Sequence, residues 1–271
     1  MSEILLGKKV NYDSKYNPNL LFPIPREKNR NSLASASWQE GFDIWNCYEV
    51  SWLNSKGKPQ VKILELYVKA SSPYIFESKS LKLYLYSLNN EKFESQEEIL
   101  KIIKTDLENL IKSEITLIFR DLDFFNGKEF TAPNAHLIDN FEADGISASP
   151  SYDIIKIEQK IKVEEKLYSN LLRSNCLITN QPDWATILIS YKGAKIAHDS
   201  LLAYILSYRN HNEFHEHCAE RIYSDIMHAC SPKELTIYAR YTRRGGIDIN
   251  PIRSSLPIQN LESLNFRLAR Q

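Results

Sequence analysis

A cysteine in a polar turn, with an acid seven residues after it, is the pair in this chain best suited to making and breaking bonds. Cys176 lies in Ser174-Asn175-Cys176-Leu177-Ile178-Thr179-Asn180-Gln181-Pro182-Asp183-Trp184, and Asp183 comes just ahead of the strand-like run Ala185-Thr186-Ile187-Leu188-Ile189-Ser190. A thiolate is a strong soft nucleophile, and a neighbouring carboxylic acid can hand a proton to whatever the sulfur attacks. Spacing alone also allows a small buried cysteine and a turn aspartate after proline, since most cysteines pack rather than react.

Three other segments carry chemistry-bearing residues. Glu77-Ser78-Lys79-Ser80-Leu81-Lys82-Leu83-Tyr84 opens an amphipathic helix, with Ser78 or Ser80 available as its cap. In Phe214-His215-Glu216-His217-Cys218 a carboxylate could accept the two adjacent donors of a guanine-like edge in a planar fork. His211, His215, His217 and Cys218 raise the competing reading of a metal site, but residues two apart point to different sides of a helix. Tyr241-Thr242-Arg243-Arg244-Gly245-Gly246-Ile247-Asp248-Ile249-Asn250-Pro251 joins arginine, which suits phosphate, to two glycines that allow close backbone approach; a plain basic hairpin turn reads the same way.

Together these segments resemble the NADPH-dependent nitrile reductases of queuosine biosynthesis, in their long two-module form. Those enzymes convert 7-cyano-7-deazaguanine to 7-aminomethyl-7-deazaguanine. The resemblance implies that Cys176 adds to the nitrile as a covalent thioimide and that Asp183 protonates the nitrile nitrogen. It implies that Phe76, Glu77, Ser78, His215 and Glu216 bind the base, with Glu216 as anchor. Ser78, Lys79, Arg244 and Gly245 are implied to bind NADPH, two of which are used per turnover. It also implies a tunnelling fold, a homodimer and no resident metal. No G-x-G-x-x-G occurs, so the dinucleotide is implied by resemblance and not by a fingerprint. The alternatives are a zinc-dependent purine or pterin hydrolase of related fold, and a non-catalytic purine-binding module.

Composition narrows the partners. The 34 basic and 34 acidic residues cancel, which argues against nucleic acid and for a small molecule. Cys47, Cys176, Cys218 and Cys230 are scattered with no CxxC pair, as expected in a reducing compartment. No signal peptide is evident, and no stretch reaches the ~18 apolar residues of a membrane helix, so a cytoplasmic protein is expected.

The elements that must position these residues follow from periodicity. Residues 1–37 read as an extended arm, broken by Pro18, Pro23 and Pro25. In 38–125, strands at 38–53 and 61–68 form a hairpin. Helices from the Glu77 motif and over Gln96 to Ile111 follow, then a strand at 115–119, with a further strand possible near Phe130. Residues 126–150 read as a linker. In 151–271, strands over 153–172 and 186–191 precede helices over 196–208 and 216–229 and a strand over 235–241. Strands grouped around a helix pair, twice, predict an α+β fold of two modules with antiparallel sheets.

Overall fold

In the computed structural model, which describes residues 15–34, 37–130 and 132–271, the chain forms two compact units that are not contiguous in sequence. The first comprises residues up to Lys28, Ile44–Glu129 and Arg243–Asp248; the second comprises Asn29–Asp43, Phe130–Thr242 and Ile249–Gln271.

The arm is not simply extended. It carries a 3₁₀ turn at Pro18–Leu20, strand β1 (Pro23–Pro25) and the one-turn helix α1 (Glu27–Arg30). The parts of the expected arm at 1–14 and 35–36 lie outside the described residues. The first unit then holds the hairpin of β2 (Glu40–Asn54, from Ile44 onward) and β3 (Pro59–Lys69). Its turn is tied by the Asn54 side chain, which accepts from the Lys56 and Lys58 amides. Strand β4 (Tyr74–Phe76) pairs antiparallel with β1 and leads into helix α2 (Ser78–Ser87). A two-residue strand β5 (Lys92–Phe93), helix α3 (Gln96–Ile111) and strand β6 (Ile115–Arg120) complete the unit, with β6 antiparallel to β3. Helix α3 runs where its periodicity predicts, because Ile99, Ile103, Leu107 and Ile111 form one wholly buried stripe at four-residue spacing.

Two expectations here need correction. The cap of α2 is Glu77, not Ser78 or Ser80: its carboxylate accepts from the Lys79 and Ser80 amides at 3.0 and 2.6 Å. Among the described residues no strand forms around Phe130, which is 60% exposed.

The second unit begins with β7 (His136–Leu137), parallel to the long strand β8 (Ile157–Asn175). Strand β8 folds back antiparallel on β9 (Pro182–Ile196). Helices α4 (His198–Leu206) and α5 (His215–Cys230) follow, then β10 (Glu234–Tyr241) antiparallel to β9. The sequence reading missed β11 (Ile247–Ser254), antiparallel to β10 through its second half, and a short helix α6 (Leu261–Leu264) near the C-terminus. Cys218, Ile222 and Ile226 on α5, with Leu201 and Ile205 on α4, close over Leu167, Ile187, Ile189 and Ile237 in one core.

Strand β8 carries an extra residue between Ser169 and Leu172, so that Asn170 and Leu171 together oppose Thr186. The polar groups of Asn170 at this bulge are taken by side chains. Asp139 accepts from the Asn170 amide at 3.1 Å, Arg270 donates to its carbonyl at 3.0 Å, and Thr186 donates to its side chain at 2.8 Å.

A charge cluster is sealed inside the same unit. Arg253 is wholly buried between Asp43 at 2.8 Å and Glu220 at 2.7 Å, and Arg30 shares Glu220 at 2.7 Å. Burial opposes the Arg253 charge, but the two carboxylates outweigh it and hold the guanidinium protonated. Asp43→Asn is therefore expected to leave a buried positive charge uncompensated and to cost about 3 kcal/mol in urea unfolding; a loss below about 1 kcal/mol would show that water reaches the cluster.

Candidate active site

In the second unit, the end of the β8–β9 hairpin presents Cys176. Ser174 pairs with Asp183 and Asn175 with Pro182, so residues 176–181 form the connecting turn. Its neck is closed twice: the Cys176 amide donates to the Gln181 carbonyl at 2.8 Å, and the Asn180 amide to the Cys176 carbonyl at 2.9 Å. Closing so short a turn requires a left-handed residue, and Asn180 takes it at φ +55°, a conformation asparagine tolerates. Cys176 is half-buried, whereas Cys47, Cys218 and Cys230 are buried. Burial pushes the thiols of Cys47 and Cys218 well up and that of Cys230 up to about 11, which keeps those three protonated and inert. Cys176 alone combines a thiol with access.

Asp183 is 4% exposed, and its carboxylate lies 3.3 Å from Nε2 of His215 at the start of α5. The His215 ring lies flat on Tyr241, with centroids 3.7 Å apart and planes 5° from parallel. Burial, then the neighbouring Cys218, raises the Tyr241 phenol far above its usual value, so the ring under the imidazole stays neutral. Glu216 is also buried, in the first turn of α5, where the positive end of the helix dipole favours a carboxylate. Trp184 takes the alternate side of β9 from Asp183 and lines an open cavity of about 710 Å³ with Tyr168, Asn170, Leu171, Thr186 and Arg270.

The structure thus brings Asp183 and His215 into contact, and places Glu216 one residue further along α5. Tyr241 went unnoticed as a partner of His215; as the last residue of β10 its only signal was an aromatic at a strand end. The histidines of the competing metal reading each face a different group: His211 faces Glu213, His215 faces Asp183 and His217 faces Asn29. Among the described residues, no group of three or more His, Cys, Asp or Glu side chains converges.

The remaining candidates lie in the first unit. Phe76 is a core residue, 2% exposed and edge-on to Trp45 at 5.8 Å. Glu77 caps α2, Ser78 is exposed and Lys79 partly so, all at the N-terminus of that helix. Arg244 and Ile247 close a two-residue turn with mutual backbone bonds of 2.9 and 3.1 Å. Both central residues, Gly245 at φ +56° and Gly246 at φ +79°, have the positive φ that such a turn demands. A Cβ on Gly245 would fall 2.5 Å from the Lys82 ammonium, and one on Gly246 2.5 Å from the Glu49 carboxyl carbon. So the arginine-glycine turn sits against α2, and Lys82, one turn beyond Lys79, joins the exposed Arg243 and Arg244.

Comparison with known proteins shows the family. A family model described as "Nitrile reductase, 7-cyano-7-deazaguanine-reductase N-term" matches residues 12–119, and one described as "QueF-like protein" matches residues 182–259. A Legionella pneumophila (strain Corby) protein named "NADPH-dependent 7-cyano-7-deazaguanine reductase" is 48% identical across 98% of this chain and 94% of its own. One of the same name from Rickettsia bellii (strain OSU 85-389) is 47% identical across 100% of this chain and 99% of its own. A solved archaeosine synthase, "QueF-Like in the apo form", is 20% identical over 36% of this chain and 96% of that chain, with a TM-score of 0.32, too slight a likeness to bear on the fold.

The segment between α4 and α5 supplies a pH-dependent anchor. Burial raises the Glu213 carboxyl, but bonds from His211 at 2.9 Å and from Arg221 at 2.9 and 3.1 Å more than offset it, so the group lies below its usual value. Stability from a carboxyl lowered in this way is complete above its unfolded value of 4.5 and is lost as pH falls through the lower folded one. Glu213→Ala should therefore cost about 3 kcal/mol at neutral pH, and the gap to wild type should narrow below pH 4.5. Urea unfolding at neutral and acid pH checks this; a gap that does not move with pH would sever Glu213 ionisation from folding.

Proposed function

The chain belongs to the NADPH-dependent 7-cyano-7-deazaguanine reductase family of oxidoreductases, and we propose that it reduces the nitrile of that base to the aminomethyl group, for queuosine modification of tRNA. The observation that carries the reading is Asp183 held against His215 beside the turn that presents the accessible Cys176 thiol. A nucleophile and a proton donor on facing ends of one hairpin suit addition to a carbon–nitrogen triple bond.

Cys176 sulfur bonds to the nitrile carbon while one π bond opens, and Asp183 delivers a proton to the nitrogen. Nothing leaves, and the product is a thioimide. For this step the thiol must be ionised while the acid is protonated. His215, at hydrogen-bonding reach of Asp183, returns the proton spent; its flat seat on Tyr241 keeps Nε2 aimed at the carboxylate. Breaking the carbon–sulfur bond after the first reduction releases thiolate and imine, and the second reduction gives the amine. Glu216 accepts the two donors of the base edge, with His215 beside it.

NADPH, when bound, supplies the two hydrides of this four-electron change. The first unit suits a dinucleotide phosphate: Arg244 and Lys79 are cationic, Gly245 removes the Cβ from the approach, and Ser78 adds a hydroxyl at the N-terminus of α2. We assign the phosphate chiefly to Arg244, whose planar fork lysine lacks. Phe76, Glu77 and Ser78 are assigned to the base; for Glu77 this requires an oxygen already engaged by the amides of α2 to serve the base as well. We read 38–125 and 151–271 as tandem tunnelling-fold modules, working as a homodimer in the cytoplasm without a resident metal. Two long strands, two helices and a strand recur in both halves, with the short strands β4 and β5 added in the first and β11 in the second, which supports the tandem reading.

Mixing the protein with 7-cyano-7-deazaguanine in the absence of NADPH should raise its mass by the whole nitrile, and Cys176→Ala should not change mass. Equal labelling of the alanine variant would remove Cys176 from the role. With NADPH present, absorbance should show two equivalents consumed per nitrile. Arg244→Ala should raise the apparent KM for NADPH and leave adduct formation intact; lost adduct at unchanged KM would move Arg244 out of the cofactor site.

A further inference from the structure

The hairpin turn that carries Cys176 does not hold itself. Segment 211–213 of the second unit runs alongside Asn175 as one rung of parallel ladder, with Asn175 donating to the His211 carbonyl at 2.8 Å and Glu213 to the Asn175 carbonyl at 3.2 Å. Between those two bonds sits Asn212. Its side-chain amide nitrogen donates to the Asn180 side-chain oxygen at 2.9 Å and lies 3.4 Å from the Cys176 carbonyl. It therefore bridges the first residue of the turn and the left-handed residue that closes it. The backbone beneath Asn212 is fixed from below, because Glu213 is clamped by Arg221 and His211. Two residues beyond Glu213, the same segment delivers His215 to Asp183.

A half-buried thiol on a six-residue turn needs its backbone held if the sulfur is to meet an incoming carbon. A displacement of about 1 Å at a reacting group can cost about 10²-fold in rate. We infer that Asn212 is a positioning residue for the Cys176 nucleophile, setting the turn through the Cys176 carbonyl and the Asn180 side chain. This rests on the nitrile-reductase reading for its kinetic consequence, and on the geometry of the turn for the rest. The Asn212 side chain meets the Cys176 backbone carbonyl and the Asn180 side chain, so it would act through the turn. Its loss should slow attack without weakening capture of the base, which falls to Glu216 and His215.

Two variants and three measurements test it. Asn212→Ala removes the bridge, and Asn212→Asp keeps the shape but removes the donor. In both, the rate of adduct formation at saturating 7-cyano-7-deazaguanine without NADPH should fall about 10- to 100-fold. Affinity for the same nitrile, measured in a Cys176→Ala background, should stay within about two-fold. Alkylation of Cys176 by iodoacetamide, followed by peptide mass, should speed up several-fold as the turn loosens. Slower attack on the nitrile, faster alkylation and intact binding together are not what general loss of structure produces. An unchanged alkylation rate in both variants overturns the inference, as does nitrile affinity falling in step with adduct rate. Should wild type form no adduct at all, the reductase reading fails by itself, and the alkylation measurement still decides the role of Asn212.

Discussion

Pairing register in the β8–β9 hairpin is the constraint on which the second unit depends. A strand's side chains alternate, so a slip of one residue would carry every inward group to the outer face. Here Ser174 opposite Asp183, Leu172 opposite Ala185 and Leu167 opposite Ile189 all point into the core under α4 and α5. The apolar pairs make any other register costly, and the polar pair is carried along with them. Position at the Cys176 end of the hairpin is thus enforced by hydrophobic contacts far from it, while the turn needs only local hydrogen bonds to finish the geometry.

Helix α5 is held with comparable firmness. Its buried Glu220 ties it to Arg253 and Arg30, its Arg221 to Glu213, and its apolar stripe to the sheet. Glu220 and Arg221 lie within about two turns of His215 and Glu216. The unit therefore places its buried charges around the helix that bears His215 and Glu216. Charge pairs inside a core add little net stability, but they penalise alternative arrangements heavily.

Much of this was legible in the residues. The long amphipathic helix over Gln96 to Ile111, the β2–β3 hairpin and the paired helices of each half followed from periodicity, since apolar spacing is a local property. The family followed from resemblance, and the relatives bear it out. Contacts between distant positions were not legible. Nothing in the sequence relates Asp183 to His215, or His215 to Tyr241, because the fold and not the spacing joins them. Strand β11 was hidden by Asp248, Asn250 and Pro251, which read as turn residues; inside the protein all eight of its residues are buried, and Asp248 is satisfied by Asn46 at 2.8 Å and by Tyr48. Glu77 as a cap was missed because serine is the commoner choice and two serines lay close by.

The extra residue in β8 has a bearing on how this family can change its length. Because Asn170 and Leu171 share one position against Thr186, removing either leaves Ser169 opposite Ile187 and Ser174 opposite Asp183, with the ladder merely made regular. Between Leu172 and the turn no such slack exists: losing one residue there rotates whatever lies on one side of the gap to the wrong face, parting thiol from acid. Natural variants that shorten this strand by a single residue are thus expected to do so at the bulge, with Asp139 losing the amide it accepts from while Arg270 keeps its bond to Thr186. Lineages that lengthen or trim the stretch after Leu172 should do so two residues at a time.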